Sequence, residues 1–464
     1  RRLLPAGAGP AGGASDPAIA STLDASVQRV AAATLRRHLL AIRDQRVLDG
    51  AVLVLDNASG HVLAYVGGSG DLSSARHVDA VMARRQAGSA LKPLLYALAF
   101  DQRILTAASL LEDTPLDLSV AGGLYRPRNY DDHFRGLVTA RIALAGSLNV
   151  PAVRTLGLVG AEAMVQQLRR LGFDLPEAGD HYGPSLALGS VDVTLWELAS
   201  AYRALAAGGV WTSPRLSPAT PAGAPRRVYS HEAAFLVSSI LADRESRSVT
   251  FGLENPLATG FWTAVKTGTS EDMRDNWAVG YSPRFTVGAW VGNYSGEPMR
   301  NVSGVTGAAP VWLEVMTWLH AGSAAASAPA PPPGLIARAV PGPDGGAGRP
   351  EWFVRGTEPA AEAGRAHVAS GGARIVAPVS GTIIALDPDI PPAMQRVIFE
   401  ASAAGAGMRW VLDGADCGPA ASLLPWAPRP GRHRLALVSG AGAIRDTVTF
   451  EVRGAAARSE PPGD

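Results

Sequence analysis

The stretches Ser89-Ala90-Leu91-Lys92 and Lys266-Thr267-Gly268-Thr269 contain the only two lysines of this 464-residue chain. The chain has 42 basic residues when lysine and arginine are counted together, so arginine fills every other basic position. A buried lysine can lose its proton and act as a base, whereas an arginine stays protonated at any working pH. The two lysines are therefore expected at sites where the chemistry excludes arginine.

Ser89 and Lys92 are three residues apart in an Ala/Leu-rich stretch, Gln86 to Phe100, that predicts a helix. Side chains at this spacing share one face of a helix and lie close enough for a hydrogen bond. The helix dipole, burial and a second ammonium group nearby would lower the pKa of Lys92. The motif predicts Ser89 as a nucleophile and Lys92 as its base. A serine cap with a surface lysine is the alternative interpretation of this motif alone.

Two more motifs carry polar groups suited to binding a peptide. Ser147-Leu148-Asn149 follows a helical pattern, and its hydroxyl can relay a proton while its amide holds a substrate backbone. Lys266-Thr267-Gly268 falls on a predicted strand, Thr263 to Thr269, where a cation and a hydroxyl can grip a carboxylate. Gly268 is expected to leave room for the substrate beside the backbone. Each motif alone also fits an ordinary helix cap or strand end, whereas their order and their use of both lysines favour a catalytic site.

Hydrophobic patterning predicts an α+β chain, because strands come first, helices are inserted and strands return. Residues 1–48 are predicted as a flexible segment and linker helix, and residues 49–322 as an antiparallel sheet with a helical insert. Residues 323–369 are predicted as a Pro/Gly-rich linker. Residues 370–455 contain short alternating runs between turns, which predicts a small β-sandwich. The predicted elements of the first part are the strands Ala51–Leu55, Val62–Val66, Trp262–Lys266, Asn276–Tyr281 and Phe285–Val291, and the helices Asp24–Arg43, Gln86–Phe100, Thr139–Ser147, Ala161–Leu171, Thr194–Ala207, Ser230–Leu241 and Ala309–His320.

Composition argues against several classes of function. The formal net charge is +1 and no basic run stands out, so no nucleic-acid partner is predicted. The nine histidines are scattered and Cys417 is the only cysteine, so neither a metal site nor an internal disulfide is predicted, and no cofactor is expected. No apolar stretch is long enough to span a membrane. Since the chain begins with Arg1 and not Met, a membrane anchor is expected only upstream.

The region from about Ala51 to His320 resembles the transpeptidase domain of class A penicillin-binding proteins. Ser-x-x-Lys followed by Lys-Thr-Gly is a known signature of these proteins and of class A β-lactamases. The residues after Gly371, with the approach Glu351-Trp352-Phe353, resemble the extra C-terminal domain of the 1C type. The expected fold is thus a serine-transpeptidase/β-lactamase-like α+β domain followed by a small Ig-like β-sandwich. Further matching stretches are Pro127-Arg128-Asn129-Tyr130-Asp131, Leu186-Ala187-Leu188-Gly189-Ser190 and Asp275-Asn276-Trp277-Ala278-Val279-Gly280-Tyr281.

The resemblance implies a role for each motif residue. Ser89 would be the acylated nucleophile, Lys92 its base, and Ser147 the group that passes a proton to the departing D-Ala nitrogen. The backbone N–H groups of Ser89 and Thr269 would form an oxyanion hole. The implied substrate-binding residues, which hold the donor peptide and its terminal carboxylate, are Asn149, Lys266, Thr267, Gly268 and Thr269.

The same resemblance implies partners and a location. The substrates would be peptidoglycan stem peptides, a D-Ala-D-Ala donor and an amine acceptor, and β-lactams would acylate Ser89. The expected location is the bacterial periplasm, at the inner membrane through a segment outside this chain, with a cell-wall protein as a partner for the C-terminal domain. The glycosyltransferase domain usual in the family is not found in these residues. A D,D-carboxypeptidase, a β-lactamase-like hydrolase and a non-catalytic cell-wall scaffold remain alternatives, because the motifs do not distinguish attack by water from attack by an amine.

Overall fold

The computed structural model divides the chain into two units, Arg1–Glu358 and Pro359–Asp464. It describes residues 20–73, 75–120, 123–251, 255–322, 327–340, 349–359, 374–378, 383–385, 395–402, 407–420 and 424–453. The predicted flexible segment at the N-terminus lies outside the described residues, as do parts of the predicted linker. The two units are described separately below.

The first unit is built on a five-stranded antiparallel sheet. Its strand Asp49–Asp56 is buried on both faces, because Leu53 and Leu55 pack into one core while Val52 and Val54 pack into another. This alternation is what a pleated strand requires when both faces of a sheet are covered. The strand order across the sheet is Ala264–Thr269, Asp275–Tyr281, Phe285–Gly292, Asp49–Asp56 and Val62–Val66.

Helices cover both faces of this sheet. The helices Ala25–Ala41 and Ala308–Leu319 pack in the core that contains Val52 and Val54, whereas Lys92–Asp101 lies in the other core. None of the helices in the described ranges is long and apolar enough to cross a membrane. The other helices are Ala140–Ala145, Asn149–Val159, Ala161–Arg170, Gly179–Tyr182, Leu195–Ala206, His231–Leu241 and Arg244–Phe251, and the 3-10 turns are Arg43–Gln45, Gly70–Leu72, Gly88–Leu91, Pro184–Leu188 and Glu271–Met273.

The helix predicted from Gln86 to Phe100 is shorter in the structure. Residues Arg85–Gln86 form a short strand, Gly88–Leu91 form a 3-10 turn, and the α-helix begins at Lys92. Gly88 has a φ of 54°, a left-handed conformation that interrupts a right-handed helix at that residue. Ser89 therefore lies on the turn that leads into the helix, and not within the helix itself.

The first unit also contains small two-stranded antiparallel sheets. In one of them the strand Gly136–Thr139 ends where the helix Ala140–Ala145 begins, and this helix leads towards Ser147. The pairs are Arg85–Gln86 with Asp192–Val193, Leu110–Asp113 with Gly136–Thr139, Leu118–Val120 with Gly123–Tyr125, and Val210–Trp211 with Arg226–Arg227.

Part of the stretch predicted as a linker, residues 323–369, is regular structure. The strands Leu335–Val340 and Arg349–Val354 pair antiparallel with Leu335 opposite Val354, and we call them the connecting strand pair. Leu335 and Phe353 are buried, and Leu335 belongs to the main core of the first unit. The Pro/Gly content of the flanking residues is typical of a linker. Apolar residues alternate within the two strands, however, and they give the strand pair a face that can be buried.

The second unit has a β-sandwich core. Its two sheets contribute to one buried cluster, with Phe399 from one sheet and Trp410, Leu435 and Phe450 from the other. The predicted α+β class with a C-terminal β domain is therefore confirmed. The three-stranded sheet contains Arg374–Ala377, Val397–Ser402 and Leu424–Trp426, and the five-stranded sheet contains Ile383–Ala385, Ile444–Arg453, Gly431–Val438, Arg409–Leu412 and Ala415–Pro419.

Candidate active site

The Lys92 amine is completely buried and surrounded by oxygen atoms. Its Nζ donates to the backbone oxygen of Ser147 and to Oδ1 of Asn149, both at 2.6 Å, and lies 3.5 Å from Oγ of Ser147. Burial lowers the pKa of Lys92 well below its ordinary value, Lys266 lowers it further, and Asp113 opposes the shift. A neutral amine has two N–H bonds, enough for the two short contacts, and keeps a lone pair that can accept a proton.

The Lys266 amine is buried within the same group of side chains. Its Nζ donates to Oγ of Ser147 and to the backbone oxygen of Thr267, both at 2.8 Å. Burial, helped by the guanidinium charge of Arg247, lowers the pKa of Lys266 from 10.5 to about 7. Near neutral pH this amine can therefore both hold and release a proton.

The Ser147 hydroxyl is the point where the two lysines meet. It accepts the hydrogen bond from Lys266 and lies 3.5 Å from the Lys92 amine. Ser147 has a φ of 59°, and a left-handed conformation in a residue other than glycine is uncommon and often marks a functional site. Hydrogen bonds from the Ser147 amide to Leu144 and from the Leu148 amide to Ala143 hold this conformation. The structure thus brings Lys92, Ser147, Asn149 and Lys266 into one hydrogen-bonded group.

Ser89 lies in the wall of the cavity that Ser147 and Asn149 also line. Ser89 and Lys92 are both described residues, but the direct hydrogen bond that their spacing predicted is absent, since the Lys92 amine contacts Ser147 and Asn149 instead. Ser89 lies on the 3-10 turn and Lys92 opens the α-helix, and the backbone N–H of Lys92 donates to the carbonyl oxygen of Ser89. Catalytic hydrogen bonds are often long or misaligned before a substrate binds, so this geometry is compatible with proton transfer in a complex.

The backbone around Ser89 is fixed by close contact with the neighbouring strand. A Cβ at Gly88 would lie 2.5 Å from the carbonyl oxygen of Thr269. A Cβ at Gly189, whose φ is 73°, would overlap the carbonyl oxygen of Gly88. The turn that carries Ser89 is therefore packed between the backbones of Thr269 and Gly189. The residue before Ser89 is thus in close contact with the Thr269 backbone.

Gly268 is needed for a different reason from the one predicted. A Cβ there would lie 2.6 Å from the carbonyl oxygen of Ala87 and 3.0 Å from the backbone nitrogen of Ala90. The space beside Gly268 is thus filled by the turn that carries Ser89, and Gly268 is not part of the cavity wall. The adjacent Thr267 and Thr269 do line the cavity. The glycine allows the turn that carries Ser89 to pack on the strand, whereas it was expected to leave room for substrate.

A buried carboxylate supports the Asn149 side of the site. The backbone N–H of Asn149 donates to Oδ1 of Asn129 at 2.8 Å, and the Asn129 side chain donates to both oxygens of Asp113 at 2.8 and 2.9 Å. Asp113 also accepts the backbone N–H of Arg135 at 3.0 Å. Asn129 lies within the stretch Pro127 to Asp131 that resembles the family, but the resemblance implied no role for this residue. No pattern in the sequence pointed to a role for Asp113, because a lone aspartate at the end of a short strand resembles any turn residue.

The cavity beside these groups has a volume of about 770 Å³, which falls in the range of pockets that bury a small ligand. Its wall combines hydroxyls from the three motifs with a basic rim. The hydroxyl-bearing residues in the wall include Ser89, Ser147, Thr267, Thr269, Ser185 and Ser190, and the rim includes Arg126, Arg128 and Arg135.

Two family models match separate parts of the chain. Residues 50–310 match the penicillin-binding protein transpeptidase domain, and residues 362–450 match the Penicillin-Binding Protein C-terminus Family. The chain belongs to the penicillin-binding protein transpeptidase family. The matched residues agree with the resemblance found in the sequence, which is confirmed, and the second match covers most of the C-terminal β unit.

Curated relatives place the chain among the class A members of this family. It is 34% identical over 359 residues to penicillin-binding protein 1C of Escherichia coli K12, an alignment that covers 74% of this chain and 44% of that protein. It is 30% identical over 295 residues to penicillin-binding protein 1A of Neisseria meningitidis, covering 60% of this chain and 36% of that protein. The chain therefore spans less than half the length of these relatives.

Solved structures share the fold at lower identity. Penicillin-binding protein 1A from Haemophilus influenzae superposes with a TM-score of 0.58 at 24% identity, covering 67% of this chain and 54% of that one. PonA1 from Mycobacterium tuberculosis, in complex with penicillin V, gives a TM-score of 0.56 at 23% identity, covering 71% and 90%. At this level of identity the likeness supports the fold alone.

Proposed function

We propose that this chain is a peptidoglycan D,D-transpeptidase that works through a covalent intermediate on Ser89. The observation that carries the proposal is the convergence of both lysines on the Ser147 hydroxyl, beside a cavity whose wall contains Ser89. Such an arrangement supplies a nucleophile, a base of lowered pKa and a proton relay within one site. The C-terminal β unit is proposed to bind a cell-wall protein and to take no part in this chemistry.

The first step forms the acyl-enzyme. Ser89 Oγ attacks the carbonyl carbon between the two D-Ala residues while its proton passes to the neutral amine of Lys92. The negative charge that develops on the carbonyl oxygen is stabilised by the backbone N–H groups of Ser89 and Thr269, and the packing of Gly88 on the Thr269 backbone supports this assignment. Thr267 and Thr269 line the cavity and bind the terminal carboxylate together with Lys266.

The second half of this step releases D-Ala. The C–N bond breaks as the departing nitrogen takes a proton from the Ser147 hydroxyl, which regains one from Lys92 or Lys266. Both amines lie close enough to Ser147 Oγ for this exchange, at 3.5 and 2.8 Å. In the next step an amine from a neighbouring stem peptide attacks the ester carbonyl carbon and forms a C–N bond. The C–O bond to Ser89 breaks, and the proton that the amine loses reaches Ser89 Oγ through Lys92. Asn149 holds the donor backbone during both steps.

A β-lactam provides the most direct test of the nucleophile. Incubation with a penicillin, followed by peptide mapping by mass spectrometry, is expected to place one adduct on the peptide that contains Ser89. The Ser89→Ala variant should carry no adduct, while Ser185→Ala, which removes another hydroxyl from the cavity wall, should keep it. An adduct of equal yield on Ser89→Ala would show that the nucleophile is a different residue, and no adduct on the unmodified protein would favour a non-catalytic scaffold.

Transfer and hydrolysis need a separate experiment, because both reactions share the acyl-enzyme. The protein is incubated with a D-Ala-D-Ala pentapeptide and an amine acceptor, and the cross-linked and hydrolysed products are separated. A transpeptidase forms more cross-linked product as the acceptor concentration rises, at the expense of hydrolysis. Hydrolysed product alone, at every acceptor concentration, would indicate a D,D-carboxypeptidase. Because the proposed substrate is peptidoglycan, we also propose that the protein works in the periplasm of a bacterium.

A further inference from the structure

A buried ion pair links the connecting strand pair to the short helix Ala140–Ala145. Nε and Nη2 of Arg141 donate to the two carboxylate oxygens of Glu351 at 2.5 and 2.6 Å. The side chains of Arg141 and Glu351 are only 8% and 7% exposed. Two parallel hydrogen bonds of this kind fix the orientation of both groups as well as their distance. Glu351 lies between the two segments that match known families, so neither family model assigns it a role.

A second carboxylate completes the surroundings of Arg141. Nη1 of Arg141 lies 3.1 Å from Oδ2 of Asp243, and Nη2 donates to Oγ of Ser239 at 3.1 Å. Asp243 also accepts the backbone N–H of Ser246 at 3.0 Å and pairs with Arg349 of the connecting strand pair. All three nitrogens of the guanidinium group are thus engaged. The removal of one buried partner would leave an uncompensated charge, which proteins tolerate poorly.

The helix that carries Arg141 leads directly into the Ser147 turn. After Ala145, the amides of Gly146, Ser147 and Leu148 donate to carbonyl oxygens within the helix, at 2.8, 3.1 and 2.9 Å. A helix of six residues is too short to hold its shape alone, so tertiary contacts must fix its direction. The ion pair of Arg141 is such a contact, and it precedes, by less than two helical turns of chain, the residue whose hydroxyl contacts both lysines.

The connecting strand pair is itself anchored on the core of the first unit. Trp352 packs edge to face against Phe235 of the helix His231–Leu241, with ring centroids 5.9 Å apart. Leu335 is buried in the main core. Glu351 is therefore presented to Arg141 from a fixed support rather than from a free loop.

We propose that Glu351, acting through Arg141, is a positioning residue for the Ser147 turn, so that the connecting strand pair is a working part of the transpeptidase site. The catalytic consequence of this proposal rests on the proposed function. A shift of the helix by a fraction of an ångström would change the distances from Ser147 Oγ to both amines, and reaction rates depend steeply on such distances.

The test compares Glu351→Gln with Arg349→Gln in the full chain. Arg349→Gln is the matched control, since it removes a charge from the same strand but leaves the Arg141–Glu351 pair in place. Acylation by a fluorescent penicillin is followed in time to give a rate constant and an amplitude, and hydrogen exchange is measured on peptides that cover residues 140–150. Glu351→Gln is expected to slow acylation about tenfold at full amplitude and to increase exchange at Ser147. Arg349→Gln should leave both within about twofold of the unchanged protein.

A second variant separates positioning from stability. The double replacement Arg141→Met with Glu351→Leu removes both charges of the pair while Asp243 keeps its ion pair with Arg349, a change that often keeps or improves stability. Its acylation is expected to stay slow although its melting temperature recovers. Recovery of the rate along with the stability would overturn the proposal, as would a Glu351→Gln protein that loses amplitude but keeps its rate constant. If the unchanged protein is not acylated, the proposed function fails, while the exchange at residues 140–150 still decides whether Glu351 positions the Ser147 turn.

Discussion

The site depends, at the scale of single residues, on a property that lysine has and arginine lacks. Burial brings the pKa of Lys92 well below its ordinary value and that of Lys266 to about 7. An arginine at either position would stay charged, and it could neither accept the proton of Ser89 nor return one to Ser147. We propose this as the reason why lysine stands at these two sites in a chain that uses arginine at every other basic position.

Replacement of Lys92 by Arg should abolish the base while the positive charge remains. We expect acylation by a labelled penicillin to slow by about 10² to 10⁴ fold, the range that general-base catalysis contributes. The rate constant is measured together with the thermal unfolding curve, so that folded and unfolded fractions are separated. Acylation of a folded Lys92→Arg protein at close to the unchanged rate would contradict the role of Lys92 as a base.

The lowered pKa of Lys266 also predicts how stability depends on pH. In the unfolded chain Lys266 holds its proton up to about pH 10.5, whereas in the folded protein it releases the proton near pH 7. Between these values the unfolded state binds more protons, so the free energy of unfolding rises with pH. The contribution approaches about 1.4 kcal/mol per pH unit for one group.

Urea unfolding of the unchanged protein and of Lys266→Met, measured from about pH 7 to about pH 9.5, isolates this contribution. Lys266 also lowers the pKa of Lys92, so the difference reports the two coupled lysines, while the other titrating groups are common to both proteins and largely cancel. The unchanged protein should gain stability relative to the variant as the pH rises. Two curves that run parallel across this range would mean that Lys266 keeps an ordinary pKa in the folded protein.

At the scale of elements, the turn Gly88–Leu91, which carries Ser89, packs closely on neighbouring backbone and accepts a hydrogen bond from the Tyr202 hydroxyl at the Ala90 carbonyl oxygen. Gly88 needs its positive φ and also its missing side chain, because Thr269 lies against it on one side and Gly189 on the other. The strand Ala264–Thr269 adds Gly268, where a Cβ would meet the same turn. Three glycines thus allow one turn to pack against a strand and a loop.

Replacement of Gly88 by Ala should therefore cost more than the strain of the backbone. Gly70→Ala is the matched control, since Gly70 has a φ of 66° and, among the described residues, nothing lies within 4 Å of the place that a Cβ would take. Strain alone is expected to destabilise Gly70→Ala by about 1 to 2 kcal/mol, with acylation unchanged. Gly88→Ala should lose most acylation and more stability, because Thr269 must move. If the two variants lost the same stability and the same acylation rate, the contact between Gly88 and Thr269 would have no special role.

At the scale of the whole molecule, the question is which residues the transpeptidase site requires. Both cores around the central sheet are built from residues before Glu358, whereas the C-terminal unit has a core of its own. The connecting strand pair contributes Leu335 and Glu351 to the first unit. The end of the family match at residue 310 is therefore not the end of the structural unit.

Two truncations test this boundary. A chain that ends at Glu358 is expected to fold and to be acylated at about the full rate, because it keeps both cores and the Arg141–Glu351 pair. A chain that ends at Gly322 loses Leu335 from the core and leaves Arg141 with Asp243 but without the two hydrogen bonds to Glu351, so it should melt at a lower temperature and react more slowly. Penicillin labelling and thermal unfolding measure both properties. Equal behaviour of the two truncated chains would show that the connecting strand pair is dispensable.

Local sequence patterns determined most of the elements of the first unit. The strand Val62–Val66 has the predicted bounds, and Ala264–Thr269, Asp275–Tyr281 and Phe285–Gly292 differ from their predictions by a few residues at their ends. Hydrophobic periodicity carries this information because it depends only on neighbours along the chain. The order of the three motifs and the scarcity of lysine also selected, from sequence alone, the residues that meet in the site.

Only the tertiary structure decided how those residues meet. The sequence suggested a direct bond between Ser89 and Lys92, but packing turns the Lys92 amine towards Ser147 and Asn149. The left-handed Ser147, the support from Asp113 and the ion pair of Arg141 with Glu351 had no local signal. The Asn129–Asp113 and Arg141–Glu351 contacts join groups that are 16 and 210 residues apart in the chain, and they become strong only when folding removes water from between the two groups.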